Sequence, residues 1–157
     1  MTSVRQYQAS SLLADGLTVL VSGGNDGTNN LATTELYSVR MPACKGLITN
    51  SKLNLQTSTG LWTATGLMNT GRVYHTSNLL NDGTVIVAGG TDNNGNLVSS
   101  SAIYNPTTQL WTLVGNMTVV RAQADSVVLL NGQVLETGGF YNPGGYGTNS
   151  ANLYTIR

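Results

Sequence analysis

The chain has 157 residues, of which 40% are hydrophobic and only 9% are charged. Seven basic and seven acidic residues cancel, so the sequence lacks the basic excess with which proteins bind nucleic-acid phosphates. Its single cysteine excludes a disulfide within the chain, and no apolar run approaches the ~20 residues of a membrane span. The 19 glycines, with many Asn, Ser and Thr residues, are typical of short strands joined by tight turns.

Short apolar runs bounded by Gly, Asn, Asp or Pro predict β-strands throughout the chain, and no window has helical periodicity. The strands fall into three units, within which we letter them A to D. Strands A to D of the first unit are predicted at 7–13, 18–22, 33–37 and 61–65. Those of the second unit are predicted at 74–80, 84–88, 99–104 and 110–114. The third unit has only strands A to C, at 123–130, 133–137 and 150–155.

The three units carry the same markers in the same order. Each strand B ends in a glycine pair: Gly23-Gly24, Gly89-Gly90 and Gly138-Gly139. Each strand C has a tyrosine, and strand D has a tryptophan: Tyr37, Tyr104 and Tyr154, then Trp62 and Trp111. The units close with Met-x-x-x-Arg: Met68 to Arg72, and Met117 to Arg121. Four pairs of equivalent markers are each 49 residues apart, so the units are repeats of one element: Gly89 and Gly138, Trp62 and Trp111, Met68 and Met117, and Arg72 and Arg121.

This order of glycine pair, tyrosine and tryptophan resembles the Kelch repeat, and the resemblance covers essentially the whole chain. The wording ELY…TGLWTATGLM…LLNDGTVIVAGG is most similar to galactose-oxidase-like and bacterial-type Kelch repeats. The resemblance implies an all-β fold, a partial Kelch β-propeller of about 2.75 four-stranded antiparallel blades. We place one partial propeller at 1–157, with blades at 5–68, 72–117 and 121–157, the third lacking its fourth strand.

The repeated residues are predicted to have structural roles. Glycine pairs let the backbone turn sharply out of strand B, because they have no Cβ atoms. The tyrosines and tryptophans supply flat apolar surfaces that pack within and between blades. We expect Arg72 and Arg121 to hydrogen-bond backbone carbonyls where strand D connects to strand A of the next blade.

Two features indicate an incomplete propeller with an insertion. The initial methionine stands four residues before Arg5, in phase with the other Met-x-x-x-Arg units, and propellers usually close with four to eight blades. We therefore expect a fragment of a larger propeller. The tyrosine and tryptophan of blade one are 25 residues apart, against 7 in blade two, which marks 39–56 as extra. This segment, with Cys44 and both lysines, is either a retained intron or a long surface loop.

Few residues offer catalytic chemistry. Galactose and glyoxal oxidases, which the chain resembles, hold copper with two histidines and two tyrosines, one of them cross-linked to a cysteine. The sole histidine, His75, and a cysteine inside the extra segment do not supply that set. We predict no cofactor or metal, and a non-catalytic Kelch-repeat interaction module. The alternatives are a scaffold fragment of a galactose- or glyoxal-oxidase-like copper enzyme without its active centre, and a nonfunctional gene fragment.

In Kelch propellers the B–C and D–A loops emerge on one face, which commonly binds partners. The B–C loops are predicted at 25–32, 91–98 and 140–149. The candidate binding residues on them are Asp26, Asn29, Asp92, Asn94, Phe140, Tyr141 and Tyr146. Aromatic rings among Asn and Gly suit recognition of a protein or a carbohydrate, or else these rings cap the propeller or contact a further blade. Self-association through open blade edges is also expected.

Overall fold

The computed structural model describes residues 1–39, 60–142, 144 and 146–155. Residues 40–56 of the extra segment, including Cys44 and both lysines, lie outside the described residues. Eleven strands form in the described part, and no helix does. They are β1 Ala9–Leu12, β2 Thr18–Ser22, β3 Thr34–Ser38, β4 Leu61–Thr65, β5 Thr76–Leu79, β6 Val85–Ala88, β7 Ser100–Asn105, β8 Leu110–Asn116, β9 Asp125–Val128, β10 Val134–Thr137 and β11 Ala151–Tyr154.

The strands form three antiparallel sheets in chain order. Strands β1 to β4 make the first sheet, β5 to β8 the second, and β9 to β11 the third, with each strand beside its sequence neighbour. The register repeats as well: the first residue of β1, β5 and β9 pairs with the last residue of β2, β6 and β10. Each sheet is therefore an up-and-down meander built from one repeat.

The sheets pack face to face, and the core lies between them. Strand β1 lies beside β5, and β5 beside β9, so the first strands of the three sheets line a common axis. One apolar cluster joins the first sheet to the second through Leu13, Leu20, Val85 and Tyr104. Another joins the second sheet to the third through Leu80, Ile86 and Val134. The described part of the chain is thus an all-β partial propeller whose sheets are blades one, two and three.

Burial within a blade follows the sequence pattern. Strand β6 reads Val-Ile-Val-Ala without alternation and is buried throughout, because both of its faces pack against neighbouring blades. Strand β8, the outermost of its blade, is exposed at most positions. The blade is therefore most tightly packed at its second strand and most exposed at its fourth.

The predicted A strands begin too early. They were placed to start at 7, 74 and 123, whereas β1, β5 and β9 start two residues later. Tyr7, Tyr74 and Gln123 have φ of 59°, 57° and 52°, left-handed values that interrupt an extended strand. None of them is glycine, so the residue type does not predict this left-handed turn.

Candidate functional site

The glycine pairs join consecutive blades through the backbone. The Gly24 N–H donates to the Arg72 carbonyl at 3.0 Å, and the Gly90 N–H donates to the Arg121 carbonyl at 2.9 Å. Both glycines have positive φ. A Cβ on Gly90 would lie 2.5 Å from the carbonyl oxygen of Val73, closer than any carbon can approach. These positions therefore require glycine for backbone conformation and for space.

The arginine of each blade is buried and hydrogen-bonds the glycine pair of the same blade. Its Nη1 donates to the carbonyl of the first glycine: Arg5 to Gly23 at 2.7 Å, Arg72 to Gly89 at 3.2 Å and Arg121 to Gly138 at 2.9 Å. The same Nη1 reaches a second carbonyl at the start of strand C: Thr33, Ser100 and Ser150. The acceptors thus lie at the end of strand B and the start of strand C. Backbone carbonyls are the acceptors, as predicted, but they do not lie where strand D meets the next strand A.

Two of the three arginines have a buried carboxylate nearby. Glu136 accepts hydrogen bonds from the hydroxyls of Thr76 and Tyr154, both at 2.9 Å, and lies 4.0 Å from Nε of Arg121. Burial raises the pKa of the Tyr154 hydroxyl, and the Glu136 charge adds to this rise. The hydroxyl therefore remains a donor to the carboxylate at any ordinary pH.

Glu35 forms the corresponding pair in blade one. Its carboxylate lies 2.6 Å from Nη2 of Arg5 and accepts from the Thr2 N–H at 2.8 Å. Burial opposes ionisation, but these donors lower the pKa of the carboxyl to about 2. No carboxylate forms an ion pair with Arg72 in the described residues, and burial lowers the pKa of its guanidinium to about 10.

The sole histidine is buried between blades one and two. Nε2 of His75 lies 2.9 Å from the Ser22 hydroxyl, and Nδ1 has no hydrogen-bond partner among the described residues. Burial, with a smaller contribution from the charge of Arg72, lowers the pKa of the imidazole to about 3. A neutral, enclosed ring of this kind packs against its neighbours and has no access to a substrate.

The tyrosine and tryptophan of a blade lie opposite each other on strands C and D. The rings of Tyr104 and Trp111 are 5.2 Å apart, and those of Tyr37 and Trp62 are 4.9 Å apart. The Trp111 indole also crosses to blade one, where its N–H donates to the Gly66 carbonyl at 3.1 Å. Both ring pairs therefore pack within their own blades, and Trp111 also hydrogen-bonds the preceding blade.

The repeat methionines are buried at the ends of the D–A connections. Met68 packs with Val87 and Ala102 of blade two, and Met117 is buried at the corresponding place. The N–H of Met68 donates to the Ala32 carbonyl, as that of Met117 donates to the Ser99 carbonyl. The methionines thus anchor each connection beside its B–C loop.

The B–C loops and the D–A connections share one end of the blades, which we call the loop face. Its three B–C loops are 25–32, 91–98 and 140–149. Single antiparallel bridges tie each loop to a connection: Asn25 to Gln6, Thr91 to Val73 and Phe140 to Ala122. Loops one and two also touch, because Nδ2 of Asn30 donates to the carbonyls of Thr91 and Asp92. Hydrogen bonds to the D–A connections, and between loops one and two, therefore fix the loop face.

The aspartates among the candidate binding residues on this face hydrogen-bond the backbone of their own turns. The Asp26 carboxylate accepts the N–H groups of Asn29 and Thr28 at 2.8 Å, and these bonds lower its pKa. The Asp92 carboxylate accepts the N–H groups of Asn94 and Asn96 in the same way. In the described part of the chain, no three His, Cys, Asp or Glu side chains converge as a metal ligand set.

The aromatic candidates lie on the third loop. Phe140 bridges the backbone between Ala122 and Gly147, whereas Tyr141 and Tyr146 are 47% and 67% exposed. The N–H of Tyr141 donates to the Tyr146 carbonyl at 3.2 Å, which holds the two ends of the loop together. An open cavity of about 580 Å³ lies beside Tyr141 and is lined by Val119, Gly147, Thr148, Asn149 and Ser150. The loop face thus offers exposed aromatic rings next to a concave surface.

Residues 72–118, which span blade two, match the Kelch motif family. Blade two is a Kelch repeat. The matched segment runs from Arg72 through the glycine pair and the Tyr104–Trp111 pair to one residue beyond Met117. The Kelch arginine therefore begins the repeat, and its guanidinium holds the glycine pair of that same repeat. No curated protein matches the chain. Over the described residues, no helix has the length and hydropathy needed to span a membrane.

Proposed function

We propose that this Kelch-repeat chain is a non-catalytic interaction module that binds a protein partner at its loop face. The observation that carries the proposal is the pair of exposed rings, Tyr141 and Tyr146, beside a concave surface on loops fixed by hydrogen bonds. Aromatic side chains on a fixed scaffold bind with little loss of conformational entropy. They are also the residue type most often found at the energetic centre of protein interfaces.

The remaining polar chemistry supports a non-catalytic role. Glu35 and Glu136 are buried and accept hydrogen bonds from Thr2 and Thr76, respectively, and His75 is enclosed between blades. Asp26 is exposed and Asp92 is partly exposed, but their carboxylates accept the backbone N–H groups that form their turns. A general acid or base must reach a substrate proton, and none of these groups combines access with a free lone pair and a catalytic partner.

Selection of binders against the full chain tests the loop face. A displayed peptide library and arrayed glycans are screened, and the captured ligands are measured again with Tyr146→Ser. We expect peptides to be captured and to bind roughly tenfold or more weakly to that variant, as for an interfacial aromatic. Leu130→Ser is the matched control, because Leu130 is fully exposed in the A–B turn at the opposite end of blade three. Capture of glycans alone, or peptides sensitive only to Leu130→Ser, would contradict a protein-binding loop face.

We further propose that the chain is part of a larger propeller, whose additional blades cover its two outer flanks. Leu12 on the flank of blade one is 54% exposed, while Leu79, which has the same position in blade two, packs against the first core cluster. Leu153 on blade three is 55% exposed, while Ile103, its equivalent, packs against the third cluster. Leu12 and Leu153 are therefore exposed at positions whose equivalents in blade two pack against a neighbouring blade.

Sedimentation of the isolated chain tests the exposed flanks. We expect reversible self-association at micromolar concentration, because each flank offers apolar area of the kind that blades bury against each other. The double variant Leu12→Ser/Leu153→Ser is expected to weaken the association. A monomer across that concentration range would contradict the proposal.

A further inference from the structure

Two tyrosines of different blades are in contact near the axis that the blades share. Tyr7 and Tyr74 lie two residues before β1 and β5, the neighbouring strands that line this axis. Their ring centres are 4.6 Å apart, and the ring planes are inclined by 40°. The other two close ring pairs in the described part of the chain each join a tyrosine to a tryptophan. Among these pairs, only Tyr7 and Tyr74 bring two phenols together.

Backbone contacts set the separation of the two rings. The angle φ is 59° at Tyr7 and 57° at Tyr74, so the two side chains leave equivalent left-handed backbones. The Tyr74 N–H donates to the Tyr7 carbonyl at 3.2 Å, which holds the two main chains side by side. Gln123 has the equivalent position in blade three and donates its N–H to the Tyr74 carbonyl in the same way. Tyr74 therefore has a phenol neighbour on the side of blade one and a glutamine on the side of blade three.

Solvent reaches this pair through Tyr7. Tyr7 is 51% exposed, whereas Tyr74 is partly buried. Burial raises the pKa of the Tyr74 hydroxyl, and the neighbouring Tyr7 hydroxyl adds to this rise. The Tyr74 phenol is therefore protonated at neutral pH, and it gives up a proton when it loses an electron. An oxidant in solution has direct access to one ring and, through the ring contact, to the other.

We propose that Tyr7 and Tyr74 are an oxidative cross-linking site, at which a dityrosine bond joins blade one to blade two. The oxidant is hydrogen peroxide, used by a haem peroxidase that withdraws one electron from each phenol. Each tyrosine also loses its hydroxyl proton, and the two phenoxyl radicals form a bond between the ring carbons next to their oxygens. The hydrogens on these two carbons then move to the oxygens, which restores both aromatic rings. In total the protein loses two hydrogen atoms, and one peroxide is reduced to two water molecules.

The contact between the rings favours this bond over a bond between two chains. Two radicals held against each other couple without a diffusional encounter, so coupling within the chain precedes coupling between chains. The two residues are 67 positions apart in the sequence, so the bond closes a long loop and restricts the unfolded chain. The cross-link therefore makes a noncovalent contact between blades permanent. Neither tyrosine belongs to a B–C loop, so the inference does not depend on the proposed binding function.

Peroxidase treatment of the full chain tests the site, at a protein concentration below that of self-association. We expect the monomer to lose two hydrogens by intact mass and to gain dityrosine fluorescence. Proteolysis followed by mass spectrometry is expected to yield one cross-linked species, which joins the peptides of Tyr7 and Tyr74. The cross-linked monomer is also expected to unfold at a higher urea concentration than the untreated chain.

Variants assign the bond to this pair. Tyr7→Phe and Tyr74→Phe are each expected to abolish the cross-link within the monomer. Tyr146→Phe is the matched control, because Tyr146 is 67% exposed and therefore at least as open to the oxidant as Tyr7. We expect this variant to form the cross-link as the unchanged chain does. Tyr7→Phe removes only the hydroxyl of an exposed ring, so it decides the matter even if Tyr74→Phe fails to fold.

Two results would overturn the proposal. One is a dityrosine within the monomer that joins other tyrosines or persists in Tyr7→Phe. The other is a monomer without a cross-link under conditions in which exposed tyrosines such as Tyr146 have already formed dityrosine between chains, because the oxidant would then have acted while the Tyr7–Tyr74 pair did not couple.

Discussion

The carbonyl oxygen of Arg72 lies 3.0 Å from the backbone nitrogen of Gly24, although the two residues belong to different blades. The Arg72 side chain turns the other way and binds the Gly89 carbonyl of its own blade. One arginine thus connects the glycine pairs of consecutive blades, by its main chain on one side and its guanidinium on the other. The Arg121 carbonyl repeats the first contact with Gly90. The Kelch arginine and glycine pair therefore form the joint between blades.

Gly89→Ala tests the close approach at this joint. The substitution places a methyl group 2.5 Å from the Arg121 carbonyl in a left-handed residue, so we expect a loss of about 3 kcal/mol or more in the free energy of unfolding. Gly95→Ala is the matched control, since Gly95 also has positive φ but nothing lies within 4 Å of its added Cβ. We expect the control to cost only about 1 kcal/mol. Urea denaturation measures both, and equal losses would show that packing at the joint is unimportant.

Trp111→Phe tests the contact between strand D and the preceding blade. Phenylalanine keeps the ring pair with Tyr104 but loses the hydrogen bond to the Gly66 carbonyl, so we expect a loss of roughly 1 kcal/mol or more in stability. Trp62→Phe is the control, because Trp62 has the same ring pair with Tyr37 and no hydrogen bond to a described residue. Thermal unfolding should rank the Trp111 variant below the Trp62 variant. The opposite order would contradict an interblade role for Trp111.

Protonation of His75 links folding to pH. Its folded pKa of about 3 lies below the ordinary value of 6.5. Between these two pH values the imidazole is protonated in the unfolded chain and neutral in the folded chain. Stability contributed by the neutral ring is complete above pH 6.5 and declines by about 1.4 kcal/mol per pH unit as pH falls toward 3. Urea midpoints at pH 7.5 and 5.0 measure this decline. His75→Gln should remove most of it, because the sequence has no other histidine; an unchanged decline would place its origin elsewhere.

The strands were predictable where residue type alone decides them. Strands β2 and β4 have the predicted bounds, because each is a run of apolar β-branched or aromatic residues with glycines close to both of its ends. The A strands were predicted too long because Tyr7 and Tyr74 adopt left-handed backbone without being glycine. Their conformation is set by neighbours: the Tyr74 N–H donates to the Tyr7 carbonyl of the adjacent blade, and their rings are 4.6 Å apart.

The buried carboxylates were also missed, for a different reason. Glu35 and Glu136 occupy different strands in their blades, so the repeat gives them no common position. Their partners, Arg5 and Arg121, are brought close only by the folded blade. One sequence signal was present: in Val134-Leu135-Glu136, the acid shares the side of the strand that carries a core valine. A charge on the inward side of an apolar strand predicts a buried partner.

The side-by-side order of the blades is the central claim, and an engineered disulfide tests it most directly. The hydroxyls of Ser11 in β1 and Ser77 in β5 are 2.7 Å apart across the axis-lining strands. In a Cys44→Ser background, we expect Ser11→Cys/Ser77→Cys to oxidise to an intrachain disulfide with unchanged circular dichroism. Ser11→Cys/Ser126→Cys joins strands two blades apart and should remain reduced as a monomer. A disulfide in the second variant but not in the first would contradict three blades packed in chain order.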